Sequence, residues 1–139
     1  MQLTKSNSPF AFFSTEVVKY KSKREGEAAL TELKAKFNDC VKNKGFTESS
    51  GTFSEYLFTE FPKSISDKFN PSESVLVRAQ IGQASSARQL LAFYQFNGDL
   101  FTGFYLVKTG LTGFSDAEVS KWSEIALVLQ ERLKLNTSI

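Results

Sequence analysis

The 139-residue chain contains no histidine, a single cysteine, three prolines, one methionine and one tryptophan. Without histidine it lacks the commonest general base and the commonest metal ligand. With Cys40 as the lone cysteine, zinc and iron–sulfur chemistry have no ligand set and no disulfide can form within the chain. No metal and no cofactor are therefore expected. No uninterrupted apolar run approaches the roughly 18–20 residues of a membrane-spanning helix. Charge of one sign is also missing: 17 Lys and Arg against 15 Asp and Glu leave +2, with a pI near 8.6. The densest basic stretch, Lys19, Lys21, Lys23 and Arg24, runs straight into Glu25 and Glu27. A nucleic-acid binder concentrates its basic residues on one face, so no nucleic-acid partner is expected and these lysines read as a solvated strand edge.

Length and composition place the chain among single globular domains. A domain of this size buries about two-thirds of its extended surface and needs no staple to fold, and 41% hydrophobic and 23% charged residues are ordinary for one. The surplus lies in phenylalanine, with 14 copies against four tyrosines and one tryptophan.

Residues 1–9 are polar and turn-rich and read as a mobile N-terminal segment, with the domain occupying 10–139. They lack the basic start and apolar core of a signal peptide, which fits either a cytoplasmic protein or a mature chain whose export signal has been removed. Residues 10–21 (FAFFSTEVVKYK) carry strand-forming side chains. Ser22 and Glu25 then form a capping-box pattern, followed by a helical stripe of Ala29, Leu30, Leu33, Phe37, Cys40 and Val41. Lys42 and Lys44 suit the end of that helix, and Gly45 is the expected left-handed closing residue. Residues 53–61 read as a strand, and 62–71 as a loop. In 74–82, Val75, Val77, Ala79 and Ile81 alternate against Leu76, Arg78 and Gln80. The runs RQLLAFYQF and LFTGFYLVK flank Asn97-Gly98, a strong signal for a tight hairpin. Ser115 and Glu118 make a second capping box, opening a helix to about Lys134 with Val119, Trp122, Ile125, Ala126, Leu129 and Leu133 on one face. The expected architecture is α+β, in the order β-α-β-β-β-β-α. Two amphipathic helices are expected on one face of a roughly five-stranded antiparallel sheet.

The hairpin departs from the usual pattern. Leu90, Ala92, Tyr94 and Phe96 share a side against Leu91, Phe93 and Gln95; on the second arm Leu100, Thr102, Phe104 and Leu106 oppose Phe101, Gly103, Tyr105 and Val107. Both faces are apolar, where an antiparallel sheet with one solvated face would alternate with polar residues. Something besides the two helices is then needed on the second face: the chain itself, a second copy in a homodimer, or an apolar ligand. Tyr94 and Tyr105, with apolar bodies and polar tips, are residue types enriched at interfaces, and Gly103 between them would leave a small depression. Tyr94, Phe101 and Tyr105 are the candidate contact residues, joined by Arg78 and Gln80 on the outward side of their strand.

No catalytic constellation accompanies them. Cys40 lies on a helix's apolar stripe, where a buried inert thiol is expected. The segment TGLTG, 109–113, lacks the Lys-Ser/Thr of a phosphate loop and reads as a flexible connection. Glu55 and Glu60 fall on opposite sides of one strand. A non-enzymatic role follows.

Four segments carry a resemblance: ALTELKAKFNDCVKNKGF (29–46), SVLVRAQIG (74–82), LLAFYQFNGDLFTGFYLV (90–107) and GFSDAEVSKWSEIALVLQERL (113–133). In element order, Gly-Asp hairpin and Ser-Asp-Ala-Glu helix start, residues 17–133 resemble the extracytoplasmic sensor domain of PknH-type serine/threonine kinases and related actinobacterial lipoproteins. That resemblance implies a non-enzymatic, sensor-like domain outside the cell that binds a small-molecule or protein ligand in a cleft. It would be the mature part of a membrane-anchored lipoprotein, tethered by a lipid anchor absent from this chain. Family members often carry disulfides, whereas Cys40 has no partner here. The alternative is a cytoplasmic protein-binding adaptor or inhibitor, phage-encoded or similar to Mog1/PsbP-like domains, acting through the aromatic sheet face.

Overall fold

Helix caps set the two long helices. In the computed structural model, which describes the backbone of residues 2–3 and 11–137 and the side chains of 12–133, α1 spans Lys23–Asn43. Its N-cap hydroxyl, Ser22 Oγ, accepts from the Glu25 N–H at 3.2 Å, and the Glu25 carboxylate reaches back to the Lys21 N–H at 3.1 Å. At the other end Lys44, not Gly45, takes the left-handed conformation (φ 58°). Gly45 opens a strand instead, and a Cβ there would stand 2.1 Å from Ser54 O. The glycine is required for close approach of two backbones rather than for helix closure. The second long helix, α3 (Asp116–Thr137), begins with a reciprocal capping box: Ser115 N–H donates to Glu118 Oε1 at 2.9 Å, and Glu118 N–H donates to Ser115 Oγ at 3.1 Å. That backbone donor is the chief cause holding the Glu118 carboxyl below its ordinary pKa. A short helix, α2 (Lys63–Ser66), interrupts the loop after the fourth strand. Among the described residues no helix is long and apolar enough to cross a membrane.

The strands are β1 (Gln2–Leu3), β2 (Ala11–Lys19), β3 (Gly45–Thr47), β4 (Phe53–Phe58), β5 (Ser74–Ile81), β6 (Arg88–Asn97) and β7 (Leu100–Thr109). They form one antiparallel sheet in the order β1-β2-β7-β6-β5-β4-β3. The α+β class and antiparallel sheet agree with the sequence reading, but five strands is too few: six have three or more residues, and Gln2–Leu3 adds a two-residue edge. The element order accordingly gains β1, β3 and α2. β4 ends at Phe58, so Glu60, read as a strand residue, lies in the loop beyond. Of the segment 1–9 expected to be mobile, all but Gln2–Leu3 lies outside the described residues, as does residue 10. The hairpin register is resolved: Asn97 pairs with Leu100 across a two-residue Gly98-Asp99 turn, with Gly98 at φ 62°.

The helices do not share a face. The meander β3 to β7 ends with β7 paired to β2, so the chain leaving β2 must cross five inter-strand gaps, about 24 Å, to begin β3. The 21 residues of α1 span about 31 Å and make that crossing over one face. α3 then takes the other. On the α3 side, Leu91, Phe93, Phe104 and Leu106 pack with Val119 and Ala126. On the α1 side, Val75, Val77, Ala79 and Ala92 meet Leu33 and Phe37. Both faces of the hairpin are apolar because each one carries a helix.

The buried stripe of α3 is also rotated from the one expected. Val119, Ser123, Ala126 and Gln130 are buried, while Ile125 is 40% exposed. Small Ser123 and Ala126 let the helix sit close to the sheet. The polar members find partners: Gln95 Nε2 donates to Ala126 O at 3.1 Å, and Thr102 hydrogen-bonds Gln130.

Candidate functional site

Where α1 crosses the sheet it leaves a cleft of about 550 Å³. Leu33, Phe37 and Cys40, at i, i+4 and i+7, present one stripe of the helix to it. The floor is built by strand alternation, with Val75 and Val77 from β5, Leu90 and Tyr94 from β6, and Tyr56 from β4. Lys36, Asp39 and Asn43 form a polar lip, and Gly45–Thr47 of β3 closes one end.

The two rings best placed to fill this space are held elsewhere. Phe37 stands edge-on to Phe58, with centroids 5.9 Å apart at 85°. Tyr94 lies nearly parallel on Phe101, at 6.0 Å and 15°. Gly103, directly opposite Tyr94 across the strands, makes the second arrangement possible: a Cβ there would stand 3.2 Å from both Tyr94 Cδ1 and Phe101 Cζ. The depression expected at Gly103 is thus occupied by the Tyr94 ring, and the open space lies on the other side of that ring, under α1.

The titratable groups on the floor and inner wall of the cleft, Tyr94, Tyr56 and Cys40, are all pushed towards their neutral forms. Burial pushes the Tyr94 phenol up to about 12, with Tyr105 and Glu16 adding to the effect. Burial also raises the Tyr56 phenol; Cys40 and Glu48 push the same way, while Arg88 opposes them. The Cys40 thiol is raised by desolvation. It is not the fully buried thiol expected from the helical stripe but half-buried on the cleft wall, because α1 and the sheet do not close upon it. A raised pKa leaves little thiolate, so Cys40 is a poor nucleophile. The arrangement offers an apolar volume with a few hydroxyl donors and acceptors, a combination suited to binding.

The five residues singled out from the sequence separate into two groups. Tyr94 lines the cleft. Tyr105 stands beside it, half-buried, with its ring 6.5 Å from Tyr94 and 6.5 Å from Phe12. Phe101 is only 7% exposed, on the same face of the sheet as Tyr94 and 4.7 Å from Phe96, and holds the Tyr94 ring from the side. Arg78 and Gln80 lie on the opposite, α3-bearing face. Arg78 donates to Phe114 O at 2.8 Å and to Glu60 O at 3.2 Å, and pairs with Asp116 at 3.0 Å. Gln80 donates to Gly82 O at 3.2 Å and accepts from Gln89, which also donates to Gly110 O. Both therefore fasten loops at the sheet end.

Leu33, Phe37 and Tyr56 are not among the candidate contact residues read from the sequence, because neither a helical stripe nor strand alternation shows whether the surface facing it is filled. Compared with known proteins, the chain matches no family model, no curated protein and no solved structure.

Proposed function

We propose that this chain is a non-enzymatic ligand-binding domain, sensor-like in role, that takes an apolar small molecule into the cleft between α1 and the sheet. The observation that carries the reading is the cleft itself: about 550 Å³ bounded by Leu33, Phe37, Val75, Val77, Leu90 and Tyr94, within the size range of small-molecule sites and apolar in the same way. The absence of histidine and the raised thiol of Cys40 favour binding over chemistry. The extracytoplasmic, lipid-anchored setting belongs to the same proposal and rests on the resemblance of residues 17–133 to sensor domains.

Fluorescence of the neutral apolar probe N-phenyl-1-naphthylamine tests it. The wild-type protein should enhance the probe's emission saturably at one site. Leu33→Trp, which enlarges a wall residue into the cleft, should weaken binding at least about tenfold, the loss a filled apolar pocket produces, with an unchanged far-UV spectrum. Ile125→Trp, on the exposed side of α3, should leave binding as it is. A wild-type protein that binds no probe, or a Leu33→Trp variant that binds it equally well, refutes the proposal.

A further inference from the structure

The cleft has one chemically distinct end. In the register of the sheet Arg88 stands opposite Ile81, and Ile81 opposite Tyr56, so the three residues form a row across β6, β5 and β4 on the α1-bearing face. Leu90, two residues along β6 from Arg88, is part of the cleft floor, and Tyr56 is another part of it. The row therefore borders the cleft at its Arg88 end. The Arg88 charge is felt at the Tyr56 phenol, where it counters the effect of burial.

Several other cations are engaged, although Lys42 and Lys44, exposed at the end of α1, carry no ion pair among the described residues. Lys36 pairs with Glu32 at 3.1 Å, Lys19 pairs with Asp99 at 2.7 Å, and Lys34 donates to Pro71 O and Ser72 O. The Arg88 guanidinium makes no ion pair and no side-chain hydrogen bond among the described residues, and neither does the Tyr56 hydroxyl. The acidic groups facing this end are Asp39 on the lip and Glu48, whose charge also reaches Tyr56. Both sit on the α1–β3 side, whereas Arg88 rises from β6. A planar guanidinium presents a fork of donors that matches a carboxylate, and a protonated phenol adds a further donor.

Resting on the reading of the cleft as a ligand site, we propose that its ligand is a single-chain amphiphile with one negative charge. Its apolar chain lies under α1 and its carboxylate-like head meets Arg88 and the Tyr56 hydroxyl. The structure thus assigns to Arg88 a specificity role for the head of the ligand, separate from the apolar walls that hold its chain.

The test is displacement of N-phenyl-1-naphthylamine from the intact chain by three 12-carbon competitors: dodecanoate, dodecanol and dodecyltrimethylammonium. Dodecanoate should displace the probe at about tenfold lower concentration than dodecanol, the advantage a charge-assisted pair confers. Arg88→Gln should abolish that advantage without changing displacement by dodecanol. Arg132→Gln, another exposed arginine, removes the same net charge and should preserve the advantage. Equal potency of acid and alcohol, preference for the ammonium compound, or an advantage that survives Arg88→Gln each overturns the anionic head while leaving the cleft as a binding site. A protein that does not bind the probe at all removes both proposals together.

Discussion

Gly26→Ala should destabilise the protein, although the same change in an open helix stabilises it. Gly26 occupies the first turn of α1 and is the helix's buried residue. In an exposed helix interior, alanine would be favoured over glycine by about 1 kcal/mol. Here an added Cβ would stand 2.3 Å from Gly98 O, 3.2 Å from Asp99 Cα and 3.3 Å from Gly98 C. All three are backbone atoms of the β6–β7 turn, so no rotamer change can relieve the contact. The turn is itself tied down, with Tyr20 N–H donating to Asp99 O at 2.7 Å and Lys19 paired to the Asp99 carboxylate. α1 must lift by roughly 1 Å, and overpacking against backbone that cannot give falls in the upper part of the usual range, about 2–3 kcal/mol. Against the propensity gain, the net loss should be about 1–2 kcal/mol, or roughly 3–7 °C in melting temperature for a chain of this size. Urea unfolding followed by far-UV circular dichroism measures it, with Ala35→Gly at an exposed α1 position giving the propensity term alone. Since α1 is one wall of the cleft, Gly26→Ala should also alter the affinity for N-phenyl-1-naphthylamine. A Gly26→Ala protein as stable as wild type or more so would show that α1 does not rest on the hairpin turn, and the cleft geometry would fall with it.

Three further outcomes are expected. The Tyr94 phenol, pushed from 10 up to about 12 by burial, is stabilised by folding in its protonated form. Its contribution is full below about pH 10 and is lost as pH rises towards 12, by up to about 3 kcal/mol. Tyr94→Phe should flatten that alkaline loss in urea titrations, and an unchanged slope would place the ring in water. Cys40, with its raised pKa, should react with dithiobis(nitrobenzoate) at pH 8 more slowly than in urea-unfolded protein, and saturating N-phenyl-1-naphthylamine should slow it further; a reaction indifferent to the probe would contradict its place on the cleft wall. Arg78→Ala should cost about 2 kcal/mol, mainly through the charged hydrogen bonds to Phe114 O and Glu60 O, since the Asp116 partner is exposed and adds little. Probe binding should not change, and its loss would give Arg78 the contact role first read from its place on the strand.

Much of this molecule is decided by local pattern. Ser22 with Glu25 and Ser115 with Glu118 start the helices because a side-chain oxygen and a nearby N–H need only a few residues to find each other. Alternation along 74–82 and through the hairpin runs assigns each side chain to a face because the strand period is two. Even the need to cover both faces follows from that alternation. The sequence does not show which helix covers which face, since that depends on β2 pairing with β7, for example Val17 with Thr102, across most of the chain. Only that pairing makes α1 cross the sheet. The same holds for the cleft: Leu33 and Phe37 have the same helical spacing whether or not the floor meets them. The space exists because Phe37 packs on Phe58 and Tyr94 on Phe101 over Gly103, contacts between residues that only the tertiary fold brings together. Periodicity is a short-range property and states which side a residue faces. Volume is left over between elements, so it is decided where they pack.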